Sequence, residues 1–330
     1  MLSMEWFYQR MKLLKKFAKD IEVEEVAICV PLEFKTACMI YELSKYTKVF
    51  PVKLDEYSTK KEAVNWLEEL GIKIVRKRDA IKARYFFDCS AVLSRIAERA
   101  GKEEINVVEL TKTGEEYLKR MRCKIKAISV DSSNLKEIES VHATSLGLLE
   151  ALLKLNIFLP GKKVKIIGFG KVGQGCADIL RRIGCEVFVW DKKDEKRVKA
   201  TFAGYKVSKN CKTDIVVLCT DSKVDLDCIS DDAIVVNMGA EKFYANGRLL
   251  EDFGILKTYE KDGKKYHLMV DGYAANLAIG YGTPIEAMDI TFSAGILALN
   301  YLKKDFDGLI PLPEEIEEKI IKSLASSKIF

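Results

Sequence analysis

Histidine is scarce in this chain, and cysteine spacings typical of metal sites are missing. Only two histidines, His142 and His267, occur among 330 residues, and they lie far apart in the sequence. No two of the nine cysteines are spaced as CxxC. Because a structural zinc site needs clustered Cys or His ligands, the sequence predicts no metal site. We expect the cysteines to be reduced and mostly buried, as in an intracellular protein.

Long apolar runs and blocks of basic residues are missing too. No segment reaches the roughly 18 apolar residues that a membrane-spanning helix needs. The opening residues, MLSMEWFYQRMKLLKKF, form an amphipathic pattern without the apolar stretch of a signal peptide. The charge balance is 54 − 49 = +5, spread thinly, whereas nucleic-acid binding depends on clustered Lys and Arg. The sequence therefore predicts a cytoplasmic protein that binds neither a membrane nor a nucleic acid.

What the chain does have is 48% apolar residues, with short β-branched runs that alternate with helical patterns. One alternating set occupies the first part of the chain, and a second follows Pro160-Gly161 with VKIIG and EVFVW. Such alternation predicts parallel sheets covered by helices, and thus an α/β protein of two lobes. We expect a Rossmann domain over residues 141–285. The second α/β domain, for the substrate, would comprise 1–140, completed by the C-terminal helices of 286–330.

Several local features follow from the same patterns. Ile72–Val75 is predicted to be a strand, and Thr59 with Glu62 to form a capping box that begins a helix ending at Gly71. Residues 137–157 are predicted to form one long helix. Residues 257–270 are predicted to form a hairpin around Asp262-Gly263.

The most informative motif is VKIIGFGKVGQGCADIL, in which Gly168, Gly170 and Gly173 form GxGxxG between a strand and a helix. In such a loop the first glycine permits a tight turn and the second lets a pyrophosphate approach the backbone. The third lets the helix pack closely on the strand, and the helix N-terminus supplies N–H groups. The motif therefore predicts dinucleotide binding.

Asp191 ends the next strand, EVFVWD, 23 residues after Gly168. A carboxylate at this point accepts hydrogen bonds from the adenosine ribose and repels a 2′-phosphate, which favours NAD over NADP. S-adenosylmethionine-dependent methyltransferases also use a Rossmann-like fold. Their ligand has no pyrophosphate and does not need the third glycine, so that alternative is less favoured but stays open.

These segments resemble the S-adenosylhomocysteine hydrolase family. GFGKVGQGCADILRRIGCEVFVWD is similar to that family's cofactor fingerprint, and the similarity continues through DDAIVVNMG, KKYHLMVDGYAANLAIGYGTPIEAM and LIPLPEEIEEKI. The resemblance implies a substrate domain with an inserted Rossmann domain, tightly held NAD, and a homo-oligomer. It also implies a chemistry in which NAD oxidises a ribose 3′-hydroxyl, homocysteine is eliminated, and the hydride is returned. The cofactor positions that the resemblance implies are Gly168, Gly170, Lys171, Val172, Gly173, Asp191, Thr220, Gly239 and Asn276.

The chain departs from the family where the family has proton-transferring groups. Pro31, Ala240 and Thr283 stand where the family has histidines. The family's aspartate-rich loop is reduced to Asp88-Cys89-Ser90, and its C-terminal tail, which reaches a neighbouring subunit's NAD, has no counterpart before Phe330. Because each lost acid or base typically costs about 10²–10⁴-fold in rate, we expect no authentic hydrolase activity.

Candidate catalytic groups are therefore few. Asp88 and Glu109 each end a strand in the first domain, at the edge where α/β proteins bind ligands. Lys136 lies near the family's reacting lysine, but it is offset, and Ile138 and Glu139 fall on the family's Asp-Asn pair. Lys136 is thus a candidate for a relocated base.

Two threonines are further cofactor candidates. Thr111 and Thr113 follow Glu109 in a stretch that resembles the family's Thr-rich segment, which touches nicotinamide and ribose. The two histidines, by contrast, are predicted to be structural.

Two functions remain open at this point, beside the methyltransferase alternative. The first is an NAD-dependent oxidoreductase-type enzyme acting on a small or nucleoside-like substrate. The second is a catalytically silent homologue that senses NAD or an adenosyl compound.

Overall fold

The computed structural model describes residues 2–210, 212–220, 224 and 230–326. The chain divides into two compact units. Unit 1 comprises Met1–Glu139 and Ile285–Phe330, and unit 2 comprises Ser140–Pro284. The predicted domain boundaries differ from these by one residue. None of the described helices is long and apolar enough to cross a membrane.

Unit 1 is built on a six-stranded parallel sheet with the order β14-β5-β4-β3-β1-β2. Its strands are β1 (Glu25–Cys29), β2 (Lys48–Pro51), β3 (Tyr85–Asp88), β4 (Glu104–Glu109), β5 (Lys124–Ser129) and β14 (Gly308–Pro311). Its helices are α1 (Met4–Arg10), α2 (Lys12–Phe17), α3 (Phe34–Leu43), α4 (Lys61–Glu69), α5 (Lys77–Ala80), α6 (Val92–Arg99), α7 (Lys112–Leu118), α8 (Asn134–Glu137), α13 (Ile285–Tyr301) and α14 (Glu314–Ser326). Buried β-branched and aromatic side chains such as Val107 and Phe86 form its core.

Unit 2 contains an eight-stranded sheet with the order β11-β12-β13-β10-β9-β6-β7-β8. Its strands are β6 (Lys163–Ile167), β7 (Glu186–Trp190), β8 (Lys206–Val207), β9 (Ile215–Leu218), β10 (Ala233–Asn237), β11 (Arg248–Asp252), β12 (Leu256–Lys261) and β13 (Lys264–Met269). Its helices are α9 (Thr144–Leu153), α10 (Lys171–Arg182), α11 (Asp194–Phe202) and α12 (Ala275–Ala278). The strands in the order β13-β10-β9-β6-β7-β8 pair in parallel, whereas β12 pairs antiparallel with both β11 and β13. The predicted α/β fold, with a Rossmann-type sheet and a second parallel sheet completed by C-terminal helices, is confirmed.

The amphipathic N-terminal segment is held to the long apolar helix α13 by one buried carboxylate. Asp289 is 1% exposed, and it accepts hydrogen bonds from the backbone N–H groups of Leu13 (2.9 Å) and Leu14 (2.7 Å) at the start of α2. These are donors that a helix leaves without an intrahelical partner. Burial nevertheless raises the pKa of Asp289 to about 6.

Two local predictions near the start of the chain are wrong. Residues Ile72–Val75 are not a strand, because the N–H of Ile72 closes the end of α4 on the Leu67 carbonyl. The capping box is also absent, since α4 begins at Lys61 and the Thr59 hydroxyl donates instead to the Asp55 carbonyl.

The predicted helix over 137–157 is interrupted. Helix α8 passes into a π-helical turn at Ile138–Ala143 before α9 begins. A side chain at Gly175 would come within 2.1 Å of the Val141 carbonyl oxygen, so α10 packs directly against this turn. The predicted hairpin, by contrast, is confirmed as β12 and β13.

Candidate functional site

The glycine loop lies between β6 and α10, as the sequence predicts. Gly168 has φ +96°, and a Cβ there would meet the Cys219 carbonyl oxygen at 2.4 Å. A Cβ on Gly173 would lie 1.9 Å from the Gly168 carbonyl oxygen. No described atom comes within 4 Å of a Cβ built on Gly170. Two of the glycines are therefore required by the protein's own packing, whereas Gly170 leaves open space beside the backbone, as a bound pyrophosphate requires.

The carboxylate of Asp191 is held against this loop. Its Oδ2 accepts a hydrogen bond from the Phe169 N–H at 2.7 Å, and its Oδ1 accepts one from the Lys193 N–H at 2.9 Å. Each carboxylate oxygen can accept a further hydrogen bond. Asp191 thus stands beside the glycine loop with acceptor capacity for the hydroxyl groups of a ribose.

The other predicted cofactor residues follow neighbouring strands of the same sheet. Lys171 and Val172 form the first turn of α10, directly after Gly170. Thr220 follows β9, and its Cβ would lie 3.1 Å from a Cβ on Gly168. Gly239 follows β10. The carboxyl ends of the parallel strands β7, β6, β9 and β10 therefore carry these candidates, on both sides of the point where the strand order reverses.

Asn276 is placed by close packing of α9 against the segment after β13. Its side chain is buried (6% exposed). A Cβ on Gly147 would lie 2.7 Å from the Asn276 Cβ and 2.9 Å from the Gly282 carbonyl oxygen. The Glu150 carboxylate accepts a hydrogen bond from the Tyr281 N–H at 2.9 Å. An asparagine amide offers both a donor and an acceptor, which suits recognition of another amide such as that of nicotinamide.

Asn237, which the sequence analysis missed, fixes the backbone around Gly239. Its Oδ1 accepts from the Gly239 N–H at 2.9 Å, and its Nδ2 donates to the Glu241 and Gly272 carbonyls, both at 2.8 Å. The only sequence signal was an asparagine at the end of an apolar strand.

In unit 1, Asp88 is fully buried and its carboxylate accepts four hydrogen bonds. Oδ1 accepts from the N–H groups of Cys89 (3.0 Å) and Leu93 (3.2 Å), and Oδ2 accepts from the N–H and the hydroxyl of Ser94, both at 3.0 Å. These donors belong to the loop after β3 and the first turn of α6. Burial raises the pKa of Asp88, against these hydrogen bonds.

Glu109 is buried in the same way and holds the same loop from β4. Its carboxylate accepts from the N–H groups of Ser90 (3.0 Å), Ala91 (2.9 Å) and Thr111 (2.8 Å), and from the Thr111 hydroxyl (2.6 Å). Gly114 makes room for it, because a Cβ there would lie 2.1 Å from Glu109 Cδ. Burial, and then the nearby Asp88 carboxylate, raise the pKa of Glu109. Both predicted catalytic acids thus hold backbone together, which accounts for their positions without a catalytic role.

Thr111 and Thr113 lie in unit 1, whereas the glycine loop lies in unit 2. Thr111 caps α7: its hydroxyl oxygen accepts from the N–H groups of Gly114 (3.1 Å) and Ser90 (3.0 Å) while it donates to Glu109. Thr113 lies in the first turn of α7 and is half-buried. Their predicted contact with the cofactor stays a prediction.

Lys136 forms a buried ion pair with Glu139. Its Nζ lies 2.7 Å from both carboxylate oxygens, and Oε2 also accepts from the Thr291 hydroxyl at 2.6 Å. Burial disfavours the ammonium, but the charge and hydrogen bonds of Glu139 outweigh it, so the pKa of Lys136 is raised. The pair keeps the proton on Lys136, which favours a proton donor or an electrostatic role over the predicted role of base.

The two histidines stand apart from these groups. His142 is exposed in the π-helical turn. His267, on β13, contacts Asp232 at 2.8 Å and Thr258 at 3.0 Å. These contacts are those of a residue that joins neighbouring strands.

The fold and the glycine loop define a Rossmann-type dinucleotide-binding unit. Residues 142–278 match the family of the S-adenosyl-L-homocysteine hydrolase NAD binding domain. The match confirms the predicted cofactor, NAD.

Curated relatives extend the similarity to nearly the whole chain. The adenosylhomocysteinase of Thermotoga maritima is 26% identical, over 97% of this chain and 93% of its own. The S-inosyl-L-homocysteine hydrolase of Methanopyrus kandleri is 26% identical, over 98% of this chain and 88% of its own. The adenosylhomocysteinase of Pyrococcus abyssi is 24% identical, over 98% and 89%. The resemblance found in the sequence is confirmed, at the level of a divergent homologue.

Proposed function

We propose that this chain is an NAD-dependent enzyme of oxidoreductase type that acts on a small, nucleoside-like substrate and is not an authentic S-adenosylhomocysteine hydrolase. The observation that supports NAD dependence is the glycine loop, in which packing within the protein explains Gly168 and Gly173 but not Gly170. When bound, NAD supplies a hydride acceptor for a carbon that bears a hydroxyl group. Asp191 would hold the adenosine ribose and Asn276 the carboxamide.

The departures from the family support the exclusion of hydrolase chemistry. Of the residues that replace family histidines, Pro31 and Ala240 cannot transfer a proton. Thr283 is buried, with its hydroxyl 3.2 Å from that of Thr144. Each missing acid or base costs about 10²–10⁴-fold. Their combined loss is incompatible with ordinary hydrolase rates.

The charge at the strand ends of unit 1 supports an unphosphorylated substrate. The N-terminus of α3 is capped by Glu33, whose carboxylate accepts from the N–H groups of Lys35 (3.1 Å) and Thr36 (3.3 Å). In the same way, the Asp88 carboxylate accepts hydrogen bonds from N–H groups at the start of α6. Helix N-termini at such edges commonly bind phosphate, and here carboxylates of the chain take that place. A neutral, hydroxyl-bearing ligand fits this edge better than a phosphate ester.

A second candidate function is a catalytically silent sensor of NAD or of an adenosyl compound. The hydrogen bonds that Asp88 and Glu109 accept from the backbone, and the pairing of Lys136 with Glu139, favour it. In these contacts each predicted catalytic group already has a partner within the chain.

The test begins with the purified full chain. It is denatured, the released small molecules are identified by mass spectrometry, and the Gly170→Ala variant serves as the matched control. We expect NAD from the wild-type chain and much less from the variant. The wild-type chain is then supplied with NAD and a panel of unphosphorylated nucleosides and their thioethers, and reduction is followed by NADH absorbance.

Each outcome decides between the functions. Reduction of NAD by a nucleoside-like compound supports the enzyme. Bound NAD with no turnover favours the sensor, and a released S-adenosyl compound in place of NAD favours methyl transfer. Conversion of S-adenosylhomocysteine at ordinary enzyme rates would refute the exclusion of hydrolase activity. Homo-oligomeric assembly and a cytoplasmic location remain predictions.

A further inference from the structure

Arg197, on α11, is tied to the loop that carries Asp191. Its Nη1 donates to the backbone carbonyls of Asp191 (2.7 Å) and Lys192 (3.0 Å), and its Nη2 is paired with the Asp194 carboxylate. Its guanidinium carbon lies 4.7 Å from the centroid of the Trp190 ring. One guanidinium thus contacts four of the five residues from 190 to 194, all but Lys193. Arg197 itself lies on α11, whereas Trp190 is the last residue of β7.

The Arg197 contacts continue to the glycine loop through Asp191. The guanidinium holds the main chain of Asp191, and the side chain of Asp191 accepts from the Phe169 N–H. Trp190, the residue directly before Asp191, accepts a hydrogen bond through its backbone carbonyl from the Gly168 N–H at 2.8 Å. Movement of the Asp191 main chain would therefore move its carboxylate relative to the glycine loop.

A lysine could not reproduce this arrangement. The guanidinium is a planar fork with several N–H donors in fixed directions, and it packs on an aromatic ring while it donates to two carbonyls. An ammonium is a compact, strongly hydrated charge. The arrangement therefore depends on the shape of the arginine side chain as well as on its charge.

We propose that Arg197 is a positioning residue that sets the Asp191 carboxylate for the adenosine half of the cofactor. The inference rests on the proposed NAD binding and goes beyond it, because it assigns affinity for adenosine to a side chain on α11. Arg197 acts through Asp191 and need not touch the cofactor.

The test is a double-mutant cycle of Arg197→Ala and Asp191→Ala, with affinities for ADP-ribose and NAD measured by calorimetry. We expect Arg197→Ala to raise both dissociation constants about tenfold, and Arg197→Lys to recover only part of this. If Arg197 acts through Asp191, adding Arg197→Ala to Asp191→Ala will weaken binding little further.

Arg181→Ala is the matched control. Arg181 also donates to a backbone carbonyl, that of Ala203 at 3.0 Å, and lies 4.2 Å from the centroid of the Tyr205 ring, but it belongs to the last turn of α10. The Arg181→Ala variant should leave the affinities for ADP-ribose and NAD unchanged. Thermal unfolding of each variant without ligand separates an effect on the loop from a general loss of stability.

The two proposals fail in different ways. A wild-type chain that binds neither NAD nor ADP-ribose refutes the proposed function, and this inference with it. Equal affinities of wild type and Arg197→Ala, or fully additive effects in the cycle, refute this inference alone.

Discussion

Replacement of Gly170 by alanine should separate cofactor binding from folding. Gly170 is the N-cap of α10 with φ −77° and ψ −165°, a conformation that alanine adopts, and no described atom lies within 4 Å of the new Cβ. Alanine gains about 0.4–1 kcal/mol by restricting the unfolded chain and loses a similar amount as a poorer N-cap. The two effects offset one another. The unfolding temperature without ligand should therefore shift by no more than about 2–4 °C.

Cofactor binding should respond far more strongly. The added methyl group occupies the space through which a diphosphate would approach the backbone, and overpacking of this kind costs about 1–3 kcal/mol. The dissociation constant for NAD should rise about 10- to 100-fold. At an NAD concentration about 100 times the wild-type dissociation constant, ligand stabilisation is about 2.7 kcal/mol, and a 100-fold loss of affinity reduces it to about 0.4 kcal/mol.

The assay is thermal unfolding with and without NAD, together with calorimetric titration of the ligand-free protein. Gly173→Ala is the informative comparison, because its Cβ would lie 1.9 Å from the Gly168 carbonyl oxygen and so should damage folding and binding together. A Gly170→Ala protein that is stabilised by NAD as much as the wild type would show that the diphosphate does not lie against this loop.

Three further predictions concern the buried groups. Glu109→Gln should lower the free energy of unfolding by about 2–4 kcal/mol in urea, since an amide NH₂ would face backbone donors. Exposed Glu116→Gln is the control, and an unchanged midpoint would contradict the structural role of Glu109. Burial raises the pKa of Asp88, Glu109 and Asp289, the last to about 6, so the folded chain binds these protons more tightly than the unfolded chain. Their contribution to stability is thus complete below about pH 4, and it is lost as pH rises through about 6 for Asp88 and Asp289 and through about 8 for Glu109. A urea midpoint that rises between pH 4 and pH 7 would count against this. Gly147→Ala should displace Asn276 and weaken NAD binding, whereas Leu146→Ala, at an exposed position of α9, should not; calorimetry of the two variants compares them.

The sequence was sufficient for those parts of the fold that depend on local pattern. Strand and helix periods indicated both parallel sheets, and the glycine spacing located the turn between β6 and α10. Strand β14 was not predicted, because Gly308–Pro311 pairs with Lys124–Ser129, far away in the chain. A four-residue edge strand carries little periodicity of its own. The segment Ile72–Val75 has strand-like residues, but the N–H of Ile72 donates to the Leu67 carbonyl at the end of α4.

In the candidate site, too, some residues could be predicted from local sequence pattern and others could not. Gly168, Gly170 and Gly173 were found because backbone geometry at a phosphate loop requires glycine, and Asp191 because its distance from the loop is characteristic. The role of Glu109 could not be found in this manner. Two of its donors, on Ser90 and Ala91, are brought together by left-handed backbone at φ 56° and 52°, in residues other than glycine. No residue type there indicates that conformation, so a buried structural acid has the same sequence pattern as a catalytic one.

The buried acids Asp88 and Glu109 differ from the Lys136–Glu139 pair in how they are held, and this difference bears on where proton transfer can take place. A general base must be placed against the substrate, and the carboxylates of Asp88 and Glu109 already accept backbone hydrogen bonds that hold the loop between β3 and α6. Lys136 and Glu139 are different, because they form a donor–acceptor ion pair between α8 and the first residues of the π-helical turn rather than at a helix cap. If the chain is an enzyme, this pair is the candidate for proton transfer that the described residues favour. If it is a sensor, the same pair needs only to remain an ion pair.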